Sequence, residues 1–232
     1  MKEGANPFLE GLQLQLHIAI RDNHAEAAVT LIDQGVPLSQ HMFLRATRLK
    51  SYVILKAFIH KGWDINACLD YWTPPALAFA LDDETSVNWF LENGANPDAQ
   101  CDSGCTSLSM AVKVAPIETI KLLLSRGGTI KHGWLLHYVA MRELADCLEV
   151  LDYLLGRGLL VNNVMYKALG TGTGSALHFA AGRGQLDIVR RLVEKGADTL
   201  VRDPTGQLAI HWAQNRDYES VVDFLRPLSG FG

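Results

Sequence analysis

Eight histidines carry the widest chemical potential in this chain of 232 residues, because a neutral imidazole can act as a general base or bind a metal. Four of them occupy one position in a recurring pattern of leucine or isoleucine, then histidine, then alanine two or three residues later: His17, His137, His178 and His211. The others share no spacing that suits a set of metal ligands: His24, His41, His60 and His132. Repetition of one position explains the first four better than four active sites would.

The cysteines and glycines offer two further candidate sites. Cys101 and Cys105 have a loose metal-like spacing, but no second Cys/His pair stands where a tetrahedral zinc site would need one. Four cysteines in so long a chain do not indicate a disulfide framework and favour a reducing compartment. The run Gly170–Gly174 matches neither the Walker nor the Rossmann pattern, so a flexible loop tip is favoured over a phosphate cradle.

The acidic run from Asp82 to Glu84 could supply catalytic carboxylates, but its position between two predicted helices favours a solvated turn. No Ser-His-Asp or Cys-His arrangement can be proposed from spacing. The sequence therefore predicts no catalytic residue, no metal site and no cofactor, and a protein that is not an enzyme.

The elements that would position any site follow from a repeated apolar pair. In each of six places a glycine follows two adjacent apolar residues by three and four positions, which is the spacing of one helical turn closed by a left-handed cap. These glycines are Gly35, Gly62, Gly94, Gly127, Gly158 and Gly196.

One copy is especially clear, because residues 175–198 read SALHFAAGRGQLDIVRRLVEKGAD. This segment resembles the ankyrin repeat, whose signature is T-P-L-H-x-A followed by a helix pair and G-A-D. The frame recurs at Thr106-Ser107-Leu108 with Ala111, and at Ile210-His211-Trp212-Ala213. The resemblance implies an all-α solenoid of stacked helix–turn–helix repeats with short β-hairpin fingers, and a structural role for the signature histidines.

Together these copies predict a single ankyrin-repeat domain over residues 1–232. Residues 1–13 would form an N-terminal cap with Leu9 and Leu12, residues 14–228 about seven repeats, and residues 229–232 a tail.

The fingers between repeats are expected to be uneven. From the closing glycine to the next signature apolar residue the chain takes 14 residues at two places, 8 after Gly35, 9 after Gly127 and 19 after Gly158. The third repeat allows two alignments, one on Thr73-Pro74-Pro75 and one on residues 75–80 with two residues lost between its helices. The fifth carries extra residues in or after its first helix, between His137 and Val150.

The resemblance also places residues two or three beyond the signature alanine on the concave face of the stack. Six of seven repeats carry a cation there, and the third offers two acids instead. These positions are Arg21, Arg48, Asp82, Asp83, Lys113, Arg142, Arg183 and Arg216. Two interpretations remain open: a polar turn that tolerates cations, or a groove that attracts an acidic partner.

Aromatic residues at fingertips form a second candidate contact. Asp70, Tyr71 and Trp72 stand where a hairpin tip is expected, and Trp134 lies in a truncated finger. Such aromatics anchor interfaces, although they could also fold back over the neighbouring short finger. A further aromatic recurs two residues after the signature leucine, at Tyr138, Phe179 and Trp212, and is interpreted as packing between repeats.

The composition limits the classes of partner that the protein is expected to bind. A net charge of −4 gives no overall attraction to nucleic acid, and a mean hydropathy of +0.07 without a long apolar run predicts no membrane association. Residues 1–16 are too polar for a secretory signal. We therefore expect a monomeric cytoplasmic or nuclear protein-interaction module or adaptor that binds a protein or peptide, with an acidic surface favoured. The alternatives are an enzyme or small-molecule binder with a pocket near Tyr71, Trp72 or His132, and a docking arm of a larger assembly.

Overall fold

The computed structural model describes residues 7–165 and 173–230, and within them the chain forms seven pairs of helices. We number the pairs units 1 to 7. In chain order they are α1 (Pro7–Arg21) with α2 (Ala25–Asp33), α3 (Gln40–Arg48) with α4 (Tyr52–His60), the 3-10 helix Ala76–Phe79 with α5 (Glu84–Glu92), α6 (Ser107–Val114) with α7 (Ile117–Ser125), α8 (Leu135–Val139) with α9 (Cys147–Gly156), α10 (Ala176–Ala181) with α11 (Leu186–Glu194), and α12 (Ala209–Gln214) with α13 (Glu219–Leu225). The predicted all-α fold of stacked helix pairs is confirmed.

The helices form two layers. The first helix of each unit contacts the first helix of the next, from α1 through to α12, and second helices such as α9, α11 and α13 contact one another behind them. Each unit has an apolar face that only its neighbours can cover, so stacking produces one continuous core along the molecule.

The closing glycines end the second helix of six units as the spacing predicts. All six adopt positive φ values between 83° and 103°, the left-handed conformation that a glycine adopts without a steric penalty. In unit 1 the amide of Gly35 donates to the Ile32 carbonyl and that of Val36 to the Leu31 carbonyl. The apolar pair before each glycine places one side chain fully in the core and leaves the other partly buried.

Units 3 and 5 depart from the regular pair. In unit 3 the first helix is a four-residue 3-10 helix with Leu77 fully buried. It begins at Ala76 as α10 begins at Ala176, which supports the alignment of residues 75–80 with residues 175–180. The two residues missing after this helix explain why it is short. In unit 5, α8 ends at Val139 and α9 begins only at Cys147, so the extra residues form a long connecting loop.

The fingers contain the short β-structure. Strands β1 (Val164–Met165) and β2 (Gly174–Ser175) pair antiparallel between units 5 and 6, and an isolated antiparallel bridge joins Gln100 to Thr106. Of the glycine-rich run, Gly174 belongs to β2, whereas Gly170 to Gly172 lie outside the described residues.

The predicted N-terminal cap is not separated from the first repeat. Helix α1 runs without a break from Pro7 to Arg21; Leu12 packs against the core while Leu9 is exposed. Residues 1–6 of the predicted cap and 231–232 of the predicted tail lie outside the described part of the chain.

Gly133, in the truncated finger before unit 5, lies where a side chain has no room. Its φ is +83°, and a Cβ there would lie 2.5 Å from Ser109 Oγ and 2.7 Å from Thr106 Oγ1, which together cap the start of α6. Gly133→Ala is expected to lower the free energy of unfolding by about 2 kcal/mol or more, measured by urea denaturation. Gly206→Ala is the matched control, with the same φ but open space around it, and equal losses in the two variants would contradict the expectation.

Candidate inner groove

A continuous groove follows the inner layer of helices from unit 1 to unit 7. It consists of four shallow concavities, each sharing lining residues with the next: His41 joins the first two, Thr73 and Phe79 the middle two, and Trp212 with Arg216 the last two. We call this feature the inner groove. Its N-terminal section lies on α1 and α3, and its C-terminal section extends from the finger before unit 3 to α12.

Five of the six cations predicted for the concave face line the inner groove. Arg21 and Arg48 lie in its first half, and Lys113, Arg183 and Arg216 lie together in the C-terminal section, which has a volume of about 380 Å³. A sixth groove cation, Arg45, was missed by the sequence analysis. It lies one turn before Arg48 on α3, so the helical spacing of the two arginines was the signal that could have revealed it.

The groove cations differ in the ion pairs, ring contacts and hydrogen bonds that they form with neighbouring groups. Arg21 pairs with Asp22 at 2.7 Å, and Arg48 stacks on the Phe79 ring at 5.5 Å. Arg183 lies 3.8 Å from the highly exposed Glu143, and Arg216 Nη1 donates to the Gly182 carbonyl at 2.6 Å.

The prediction that Arg142 faces a partner is wrong, because this side chain is 1% exposed. Its Nη1 and Nη2 donate to the carbonyls of Val112 and Ala115 at 2.8 Å, and it forms a bidentate pair with Asp146 at 2.8 and 2.6 Å. The long loop of unit 5 turns the guanidinium under the C-terminal end of α6, where carbonyls lack helical partners. Arg142 therefore joins units rather than facing a partner.

The two acids of unit 3 have different surroundings. Asp82 is exposed. Asp83 is the N-cap of α5, accepting from the Ser86 amide at 2.9 Å and its hydroxyl at 2.6 Å, and Lys50 lies 3.5 Å away. These contacts, led by the Ser86 hydroxyl, hold the pKa of Asp83 below its usual range. Asp83 thus caps the N-terminus of α5. The sequence had predicted only a partner contact for this residue.

The fingertip before unit 3 presents two half-exposed aromatic rings. Tyr71 and Trp72 are 48% and 46% exposed and meet edge to face at 4.5 Å. Asp70 accepts hydrogen bonds from the amides of Trp72 and Thr73 at 2.7 and 2.8 Å, so its carboxylate fixes the turn; the Thr73 hydroxyl is the largest cause of its lowered pKa. The Ser103 amide donates to the Tyr71 carbonyl, which ties this tip to the next finger while the rings stay accessible.

Trp134 folds against its own unit and the neighbouring finger. It is half-buried, packs edge to face on His137 at 5.7 Å, and its Nε1 lies 3.2 Å from where a Cβ on Gly104 would be. With His132 it lines a separate half-open notch of about 670 Å³ between the long fingers on either side. In the described part of the chain the notch side chains Asp102, Lys131 and His132 form no hydrogen bond or ion pair with one another.

The recurring aromatics form the floor of the C-terminal section. Tyr138 and Phe179 are nearly buried, and Trp212 is half-buried with its ring 5.4 Å from that of Phe179. Trp212 Nε1 donates to Asp203 Oδ2 at 2.8 Å, which fixes the indole. The rings pack between units as predicted, but they also line the groove, a second role that the spacing does not predict.

Most signature histidines connect backbone groups. His137 Nε2 donates to the Gly174 carbonyl at 2.9 Å, and His178 contacts Ser175 through Nδ1 and the Gln207 carbonyl through Nε2 at 3.1 Å. His211 Nδ1 accepts from the Leu208 amide. Burial lowers the pKa of His137 to about 4 and that of His178 below its usual range. His17 is the exception to the predicted structural role: it is exposed and lines the N-terminal groove section.

Two of the four thiols are weaker acids than a free cysteine. Burial raises the pKa of Cys68 to about 11 and that of Cys105 above its usual value, so both stay protonated at neutral pH. Within residues 7–165 and 173–230, no three His, Cys, Asp or Glu side chains converge in a way that could hold a metal ion. The helices of the same residues include none that is both long and apolar enough to cross a bilayer.

Comparison with known proteins identifies relatives. A family model described as ankyrin repeats in three copies matches residues 136–230. The mouse B-cell lymphoma 3 protein homolog is 33% identical over 174 residues, and the human B-cell lymphoma 3 protein is 36% identical over 136 residues. These matches cover 72% and 56% of this chain but only 35% and 27% of the relatives, so the chain corresponds to about a third of their length.

A solved structure agrees with the fold over most of the chain. The crystal structure of the ankyrin repeat domain of Bcl-3, described as a member of the IkappaB protein family, superposes with a TM-score of 0.57 at 26% identity. The superposition covers 91% of this chain and 97% of that domain. Repeated units, closing glycines and these similarities together show that the chain is an ankyrin repeat protein.

Proposed function

We propose that this chain is a non-catalytic protein-interaction module that holds an acidic partner along the inner groove. The observation that carries the proposal is the charge of the groove. Its lining includes six cations, whereas the only carboxylate among the described lining residues is that of Asp70, which already accepts three hydrogen bonds. A groove of one sign attracts the opposite charge locally, even though the net charge of the chain is −4.

The relatives support the general part of the proposal. Ankyrin repeat proteins related to Bcl-3 are interaction modules, and the chain shares their fold across nearly the whole ankyrin domain. Only the positive charge of the inner groove supports an acidic partner; the relatives do not bear on it. A location in the cytoplasm or nucleus is part of the same proposal, and four free cysteines support it because reducing compartments keep thiols unpaired.

The test reverses charge in the groove. Lys113→Glu, Arg183→Glu and Arg216→Glu, combined in one variant, are expected to weaken partner binding at least about tenfold at low ionic strength. Partners are isolated by affinity capture with mass spectrometry, and their affinity for each variant is then measured against salt concentration. The difference between variants should shrink as salt rises, because screening removes the attraction.

A matched control separates groove charge from total charge. Lys56, Arg126 and Lys195 are exposed cations on outer helices or at their ends, and reversing these three changes the net charge equally. We expect this control variant to bind close to wild-type affinity. Equal loss in both variants, or no loss in the groove variant, would rule out the inner groove as the site.

A further inference from the structure

We infer that the C-terminal section of the inner groove accepts one bulky apolar side chain of an extended peptide, flanked in that peptide by acidic residues. The inference rests on the proposed function and specifies the partner's chemistry. Its basis is the contrast within this section between an apolar floor and a cationic edge.

The apolar floor is built from aromatic rings of several units. Phe79 belongs to unit 3, Tyr138 to unit 5, Phe179 to unit 6 and Trp212 to unit 7, while Trp72 stands at the fingertip before unit 3. Trp72 and Trp212 keep a substantial part of their rings accessible, at the two ends of the section. Solvent-accessible aromatic surface in a concavity gains stability when an apolar group covers it.

The cationic edge has charge that the chain itself does not neutralise. Lys113, Arg183 and Arg216 surround the floor, and no carboxylate is among the described residues that line this section. Glu143 approaches Arg183 only at 3.8 Å and is 87% exposed, so that pair is weak. Carboxylates next to the inserted side chain would therefore meet unsatisfied donors.

The section is already arranged for binding. Asp203 holds the Trp212 indole at 2.8 Å, the Gly182 carbonyl holds Arg216 at 2.6 Å, and Asp70 holds the backbone of Trp72 at 2.7 Å. Fixed side chains lose little conformational freedom when a ligand arrives, which favours affinity.

The size and shape of the section decide between a peptide and a folded surface. A volume of about 380 Å³ lies near the lower end of ligand pockets, which suits one large side chain and its neighbours. The groove continues on both sides through Thr73 and Phe79 and through Trp212 and Arg216, so an extended chain can pass along it.

The test compares fluorescein-labelled peptides of glutamate and serine that differ only at a central position, phenylalanine or serine, by fluorescence anisotropy. The phenylalanine peptide is expected to bind wild-type protein about tenfold more tightly, as burial of one aromatic side chain predicts. Trp212→Ala should abolish this advantage. The exposed Trp72→Ala should reduce it without disturbing the stack, which keeps the test valid if Trp212→Ala does not fold. The groove variant with three reversed charges should weaken both peptides and preserve their ratio.

Two outcomes would overturn the inference. The first is equal affinity of the two peptides for wild-type protein. The second is that neither peptide binds while captured partners still depend on the groove cations; the proposed function would then stand without it. Loss of charge dependence for captured partners would instead contradict the proposed function itself.

Discussion

Arg142→Ala is expected to lower the free energy of unfolding by about 3 kcal/mol. The substitution removes a guanidinium that is 1% exposed and leaves the carbonyls of Val112 and Ala115 and the carboxylate of Asp146 without their donor. The same loop is held from the other side, because Gln185 Nε2 donates to the Arg142 carbonyl at 2.9 Å. Urea denaturation followed by circular dichroism measures the loss.

The chain supplies a matched control at the equivalent position of the next unit. Arg183 follows His178 by five residues, as Arg142 follows His137, but its side chain is 40% exposed. We expect Arg183→Ala to change stability by no more than about 0.5 kcal/mol. Arg142→Lys should recover only part of the loss, because an ammonium cannot reproduce the bidentate pair. A similar small effect at both arginines would show that the buried network does not stabilise the fold.

Stability is expected to fall by about 3 kcal/mol as the pH drops from 7 to 4, mainly through His137. Burial lowers its pKa from 6.5 to about 4, so between these values the unfolded chain binds a proton that the folded chain does not. The contribution is fully present above pH 6.5 and is lost toward pH 4. The lowered pKa of His178 acts in the same direction. Urea titrations at intervals of pH measure the slope.

His137→Gln isolates this effect, since glutamine keeps a donor for the Gly174 carbonyl but does not titrate. The variant should lose most of the pH dependence in this range, although its stability at pH 7 will be lower. An unchanged slope in His137→Gln would show that this imidazole does not carry the pH dependence.

The sequence was sufficient to predict the stack because its signals are local and repeated. An apolar pair followed by a glycine reports one turn of helix and its cap, and six copies make the interpretation secure. It could not choose between two alignments of unit 3, since both place an apolar residue inward. The structure decides by where the first helix begins, since it starts at Ala76 as α10 starts at Ala176.

The exposure of individual side chains was harder to predict from the sequence, because it depends on the conformation of the loop in which each residue lies. Arg142 and Arg183 have the same place in the pattern, yet the extra residues of unit 5 turn one inward. Asp70 and Asp83 bind backbone amides close to them in the chain, and their capping geometry was open to prediction from the residues that follow. His17 lies before a finger of only 8 residues, whereas His137 and His178 bond to longer fingers.

The uneven fingers separate the surface that a partner could contact from the core that holds the stack together. The spacing from a closing glycine to the next signature apolar residue ranges from 8 to 19 residues, yet the first helices of neighbouring units contact one another along the whole stack. Insertions and deletions at the fingertips therefore change the shape of the surface that a partner contacts, while the packing of the helical core stays the same. Recognition could therefore be altered one finger at a time, and an engineer could change an exposed tip such as Tyr71–Trp72 without redesigning the helices beneath it.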